Sequence, residues 1–301
     1  MEVPEINEFL RYVRTELNYS RHTIKAYGKD LRQFARFLSG EEDRTVELKS
    51  IDSTDIRAWI AHMAEKGVGP TSSRRKVQAV RSLYKYLMRK GVVEESPAAD
   101  IEMARAPRRL PSFVREENMS TLLDGEIDTS DVVAVRDHLI VMMLYETGMR
   151  RNELITLKDI WVDTDACELR VLGKRNKDRI IPFGTELAEW IELYRHLRKE
   201  AGLDGDTFFT NAKGNSLYPS LVYNVVYNAL SSVGGSDKKS PHVLRHSFAT
   251  AMLNGGARLD SVKELMGHES IATTQIYTHV TLSDLMNNYK LAHPRAQKKG
   301  G

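Results

Sequence analysis

Three polar residues in the segment 241–250, Pro-His-Val-Leu-Arg-His-Ser-Phe-Ala-Thr, stand at the spacing that chemistry on a helix face requires. His242, Arg245 and His246 fall at i, i+3 and i+4, so one face presents two imidazoles and a guanidinium. Val243, Leu244, Phe248 and Met252 supply apolar packing around them. A lone histidine here would read as a satisfied core residue. The convergence of three such groups points instead to a site for an anion such as phosphate, which a guanidinium fork matches well. The alternative is zinc held by His242 and His246 one turn apart. Against it, residues 241–259 contain no Asp or Glu, and Arg245 between the two histidines would repel a cation.

Four other residues are candidates only in company. Arg150 follows the glycine helix stop in Thr147-Gly148-Met149-Arg150, which gives a long cationic side chain a fixed base. Lys174 lies in 173–178, a polar turn between two apolar runs. His268 closes Leu265-Met266-Gly267-His268. Tyr277 sits in a short helical pattern, 271–280, beside the apolar Ile271, Ile276 and Val280. A tyrosine at such a position is more often packing than chemistry.

The elements that must position these groups are mostly helical. In the first hundred residues, Ile24, Tyr27, Leu31, Phe34 and Leu38 share one helix face, with the pattern running over 23–38. A second helix spans 53–66, with Ser53 or Thr54 as its cap and Gly67 as its stop. A third spans 72–90, with Val77, Val80, Leu83, Tyr84 and Leu87 inward and its basic residues outward. Residues 104–113, holding Pro107 and Pro111, read as a linker between domains at 1–103 and 114–301. In the second domain a helix at 132–146 ends at Gly148, 169–172 and 179–183 read as a hairpin, and helices follow from 185 onward. Asp260 is placed to cap the helix that ends at Gly267. The fold class is therefore mainly α with a small antiparallel β-sheet.

Composition bounds the partners. The 301 residues are 41% hydrophobic and 28% charged, enough apolar material for two cores, and contain no apolar run of membrane-spanning length. The N-terminus does not read as a signal peptide, and a single cysteine, Cys167, excludes an internal disulfide and fits a reducing cytoplasm. The net charge of +3 says little, but its distribution says more. Residues 71–111 carry Arg74, Arg75, Lys76, Arg81, Lys85, Arg89, Lys90, Arg105, Arg108 and Arg109 against only four acids. Of these, Arg74, Arg75, Lys76, Arg81, Lys85, Arg108 and Arg109 are the expected DNA contacts.

Taken together and in order, these pieces resemble the tyrosine recombinase family. Thr147-Gly-Met-Arg150 is similar to the segment bearing its first arginine, Gly173-Lys174 to its lysine turn, and His242-Val-Leu-Arg245-His246 to its His-x-x-Arg-His box. Leu265-Met-Gly-His268 and Gln275-Ile-Tyr277 resemble its last histidine and its nucleophile. Within the family the chain is most similar to the XerC/XerD group of bacterial chromosome-dimer resolvases. The length leaves no room for the extra N-terminal domain of phage-type integrases. Two departures stand out: Arg175 where the family often has glycine, and Arg151-Asn152 where an aliphatic-serine pair is more usual.

The resemblance implies a two-domain DNA clamp, with a helical core-binding domain and an α/β catalytic domain. It implies Tyr277 as nucleophile, Arg150 and Arg245 on the nonbridging oxygens, and Lys174 as acid to the leaving 5′-oxygen. His242 would take the tyrosine proton, and His268 would bond the phosphoryl group. No cofactor or metal is implied. The implied partners are double-stranded DNA, a tetramer on two duplexes, a paralogous recombinase and the FtsK translocase. The helical tail 281–292 would dock on a neighbouring protomer, with packing on its own chain as the alternative. A mobile-element integrase, a type IB topoisomerase and a non-enzymatic DNA-binding regulator are the rival readings.

Overall fold

The computed structural model describes residues 3–40, 46–103, 112–173, 178–203, 205–234, 238–267 and 282–296. The chain divides into two compact units, Met1–Arg109 and Leu110–Gly301, each with its own core. The expected linker falls almost wholly outside the described residues. Among the described residues no helix is long and apolar enough to cross a membrane.

Among the described residues the first unit holds four α-helices, α1 (Pro4–Thr15), α2 (Arg21–Ser39), α3 (Ser53–Glu65) and α4 (Pro70–Arg89). Prolines open α1 and α4, where a missing N–H costs nothing. Ser20 caps α2 by accepting from the Thr23 N–H at 3.2 Å. The cap of α3 is Asp52, not Ser53 or Thr54: its carboxylate accepts from the Thr54 and Asp55 N–H groups, and Asp55 reaches back to Asp52. A carboxylate outcompetes a hydroxyl here because the helix N-terminus carries partial positive charge. Ile6, Phe9, Leu31, Phe34, Ile56, Trp59 and the expected inner face of α4 form the core. Inside it the Tyr84 hydroxyl donates to the Leu48 carbonyl at 2.8 Å.

The second unit holds α5 (Glu116–Leu123), α6 (Val132–Thr147), α7 (Arg151–Ile155), β1 (Val162–Asp163), β2 (Glu168–Leu172), β3 (Asp178–Pro182) and α8 (Thr185–Glu200). They are followed by α9 (Pro219–Val233), α10 (Pro241–Asn254), α11 (Leu259–Met266) and α12 (Leu282–Ala292). The three strands form one antiparallel sheet in the order β1-β2-β3, with Val171 opposite Arg179. The two-residue β1 is too short to carry a periodic signal and was not expected. The centre is α6, which is buried nearly all round and packs against α8, α9 and α10. A helix apolar on every side is the mark of a core element rather than a surface one. Asp260 lies in the first turn of α11 but does not cap it; Arg258 occupies the cap with no side-chain bond.

In this single chain α12 packs against α10, α11 and β3, burying Leu285 and Tyr289 in its own core. The following turn drives Arg295 into the unit, where it meets Asp124 at 2.8 Å, Glu146 at 3.2 Å and Glu186. His293 is buried beside it, its ring stacked 5.1 Å from Tyr289, and its Nδ1 accepts the Arg295 N–H. Burial, with the Arg295 charge assisting, pushes the His293 pKa down to about 3. The folded chain thus holds this imidazole neutral while the unfolded chain protonates it below pH 6.5. Stability from it is complete above that value and is lost as pH falls from 6.5 towards 3, at about 1.4 kcal/mol per pH unit. Urea midpoints measured at pH 7 and pH 5 should fall, and His293→Gln should flatten that fall by about 2 kcal/mol. An equal fall in both proteins would place the acid sensitivity elsewhere.

Candidate active site

Arg150 is placed by the end of α6. Gly148 terminates that helix in the left-handed conformation, with φ of 59°. A Cβ there would lie 2.2 Å from the Phe248 ring of α10, so only glycine lets the two helices close. The chain then turns so that Arg150 stands at the N-cap of α7, where its own N–H donates to Glu153 Oε2 at 2.7 Å. Its guanidinium donates to Glu153 Oε1 at 2.8 Å and to the Gly267 carbonyl at 2.6 Å.

Arg245 arrives from α10. It is buried, and it donates to the carbonyls of Gly148 and Met266. A third arginine, Arg179 at the start of β3, donates from Nε to the Leu265 carbonyl at 2.7 Å and from both Nη atoms to Glu153 at 2.9 Å. Three successive carbonyls at the C-terminus of α11 therefore each accept from a different arginine. Those carbonyls carry the negative end of the helix dipole, which suits cationic donors. Desolvation, then the charges of Arg150 and Arg179, lower the Arg245 pKa to about 10. Three guanidiniums against the single carboxylate of Glu153 leave this cluster with an excess of positive charge, the field that an entering anion needs.

His242 and His246 are exposed on α10, whereas Arg245, expected beside them on one face, turns inward because the Gly148 and Met266 carbonyls receive its guanidinium. Partial desolvation, then the charges of Arg151, His246 and Arg245, hold the His242 imidazole below its ordinary value. Among the expected site residues, Arg150 and Arg245 are thus brought together through the end of α11, with His242 on the helix that carries Arg245. Lys174, His268, Tyr277, Arg108 and Arg109 lie outside the described residues.

Sequence reasoning passed over Glu153 and Arg179. Glu153 had a usable signal, since a glutamate three residues after an N-cap is the reach-back partner of a capping box. Arg179 had none: a lone arginine opening an apolar strand is ordinary. In the first unit the expected DNA contacts divide. Arg74 and Lys85 are exposed. Arg75 forks onto the fully buried Asp30, Lys76 is buried with its ammonium on Gln33 and Asp30, and Arg81 donates to the Ala98 and Ile101 carbonyls. Lys76 is thus turned inward and Arg81 is tied to the backbone, so the basic residues of α4 do not all point outward; Arg75 stays exposed while two of its nitrogens hold Asp30.

The phage integrase family matches residues 112–283, and the phage integrase N-terminal SAM-like domain matches residues 6–91. The chain is 37% identical to a tyrosine recombinase XerC of Chlorobaculum tepidum, covering 97% of this chain and 94% of that one. It is 38% identical to a tyrosine recombinase XerC of a Mycobacterium species, covering 97% and 99%. Its fold is similar to that of the XerH site-specific recombinase solved with its difH substrate before cleavage, with a TM-score of 0.71 at 22% identity over 94% of each chain. It is likewise similar to lambda integrase residues 75–356 solved as a dimer on a core site, with a TM-score of 0.69 at 15% identity over 99% and 98%.

Gly148→Ala tests the joint on which both arginines depend. A Cβ in left-handed backbone costs about 1–2 kcal/mol and overpacking against Phe248 about 1–3 more. The urea midpoint should fall by the sum, with an unchanged denaturant slope. A change below 1 kcal/mol, within the range of a surface substitution, would mean that the α6–α10 contact yields easily.

Proposed function

Because the chain belongs to the phage integrase family of tyrosine recombinases, we propose that it is a site-specific recombinase that cuts and rejoins DNA through a covalent 3′-phosphotyrosyl link at Tyr277, and that it resolves chromosome dimers. The observation that carries the reading is the convergence of Arg150 and Arg245 on the last carbonyls of α11, directly before His268. Residues 95 positions apart have no local reason to meet there, and a half-buried guanidinium beside a buried one, with surplus charge, suits a phosphodiester.

The Tyr277 oxygen attacks the scissile phosphorus in line, a P–O bond to tyrosine forms, and the bond to the 5′-oxygen breaks. Arg150 and Arg245 hold the nonbridging oxygens and offset the charge that builds on them, each donor being worth roughly 3–4 kcal/mol. His242, its pKa held below the ordinary value by partial burial and then by its cationic neighbours, accepts the tyrosine proton. Lys174 protonates the leaving 5′-oxygen, and His268 bonds the phosphoryl group. The phosphodiester energy is retained in the tyrosyl ester, so the 5′-hydroxyl can return and no nucleotide is consumed. Two duplexes exchanging all strands need four tyrosines, hence a tetramer; a second recombinase and the FtsK translocase are the further partners of this reading. Arg74 and Lys85, exposed on α4, are the first-unit residues best placed for phosphate contacts.

The deciding experiment mixes the chain with a random-sequence duplex library, denatures it, and recovers DNA that stays attached to protein. The unaltered chain should capture a defined sequence, and Tyr277→Phe should capture none while binding that duplex as before. Covalent capture by Tyr277→Phe would remove Tyr277 as nucleophile; failure of the unaltered chain to capture any DNA would remove the enzyme reading in favour of a binding protein.

The pH profile gives a second check. Cleavage should decline on the acid side as His242 is protonated, and that limb should lie below pH 6.5. Arg151 is one of the charges that depress the imidazole, so Arg151→Ala should raise its pKa and move the limb to higher pH. A limb unmoved by Arg151→Ala would assign the titration to another group.

A further inference from the structure

Arg179 is bound more completely than any ordinary strand residue needs. Its Nη1 and Nη2 each lie 2.9 Å from one oxygen of Glu153, and its Nε lies 2.7 Å from the Leu265 carbonyl. Its side chain is only 9% exposed, and Gly267 covers it: a Cβ at Gly267 would stand 3.0 Å from Nη1. With three donors committed and a glycine turn packed against it, Arg179 is not free to take a phosphate oxygen itself.

Glu153 explains what it does instead. The two carboxylate oxygens accept four hydrogen bonds, two from Arg179 and two from Arg150 through its side chain and its backbone N–H. A carboxylate has about four lone-pair directions, so this one is saturated. Without Arg179, two of those directions would stand empty beside Arg150. The Arg150 fork would then turn to meet both oxygens, leave the Gly267 carbonyl, and spend its charge on Glu153. The same arginine ties β3, five residues beyond Lys174, to the end of α11, one turn before His268.

We propose that Arg179 is a positioning residue of the strand-cleavage reaction: by saturating Glu153 and holding the Leu265–Gly267 turn, it keeps the Arg150 guanidinium aimed at the phosphate. The proposal rests on the recombinase reading above. It separates from a merely structural role because it acts through a positive charge on a nonbridging oxygen. A methylphosphonate at the scissile position is neutral, so it calls far less on that charge than a diester does.

The test is single-turnover cleavage of the duplex captured by the unaltered chain, made once with a scissile diester and once with a scissile methylphosphonate. Arg179→Gln should bind both duplexes normally and cleave the diester roughly 10²-fold more slowly, the size of loss that a small misplacement of a catalytic group produces. On the methylphosphonate it should run close to the unaltered chain. Arg179→Lys, which keeps the charge but cannot bridge both Glu153 oxygens and the Leu265 carbonyl, should share the diester-selective loss while leaving the urea midpoint near that of the parent. Glu153→Gln added to Arg179→Gln should recover part of the diester rate, because a neutral amide no longer draws Arg150 across. Diester cleavage at the parent rate in both Arg179 variants, or equal losses on both substrates, would overturn the proposal. Absence of any adduct with the unaltered chain would overturn the recombinase reading, and the proposal with it.

Discussion

The buried carboxylate of Glu153 is what makes the arginine cluster possible. Arg150, Arg179 and Arg245 meet at the end of one short helix, and burial, then the repulsion of the other two, lowers the Arg245 pKa to about 10. Burying like charges costs several kcal/mol per ion unless each is paired and bonded. Glu153 offsets one charge outright, and the carbonyls of Leu265, Met266 and Gly267 spread the rest over the negative end of α11. What is left over is positive and fixed in place. In the reading proposed above, the electrostatic part of transition-state stabilisation would be in place before DNA arrives.

The backbone is arranged to serve that cluster. Gly148 and Gly267 both adopt left-handed conformations, one beneath the Phe248 ring and the other beneath Arg179. Each ends a helix where a side chain would force the elements apart, and each contributes its carbonyl to an arginine. Helix ending, helix packing and charge placement are therefore one event, and a change at either glycine acts on the chemistry through distance.

A second ionic centre holds the far end of the chain. Arg295 is surrounded by Asp124 at the end of α5, Glu146 of α6 and Glu186 of α8. Acid excess here balances basic excess at the site, and both centres border the buried helix α6. His293, kept neutral beside it by burial, makes the docking of the tail sensitive to acid.

The sequence alone did not determine α1 or the short α5 and α7, but it determined the longer helices from α2 onward, the hairpin and the identity of the family. Those follow from periodic apolar residues, from glycine stops such as Gly148, and from the ordered sequence Arg150, Lys174, His242, Arg245, His268, Tyr277, all of which local pattern can carry. The exposure of Arg74 and Lys85 was legible for the same reason. What charge means was not. Arg75, Lys76 and Arg81 share a basic run with them, yet Asp30, Gln33 and two backbone carbonyls claim them, because partners 17 to 46 residues away are invisible to spacing along one helix. Glu153 and Arg179, 26 residues apart, became a pair only when β3 was laid against the end of α11. Spacing names which groups can share a face; only folding decides which of them are already spent on one another.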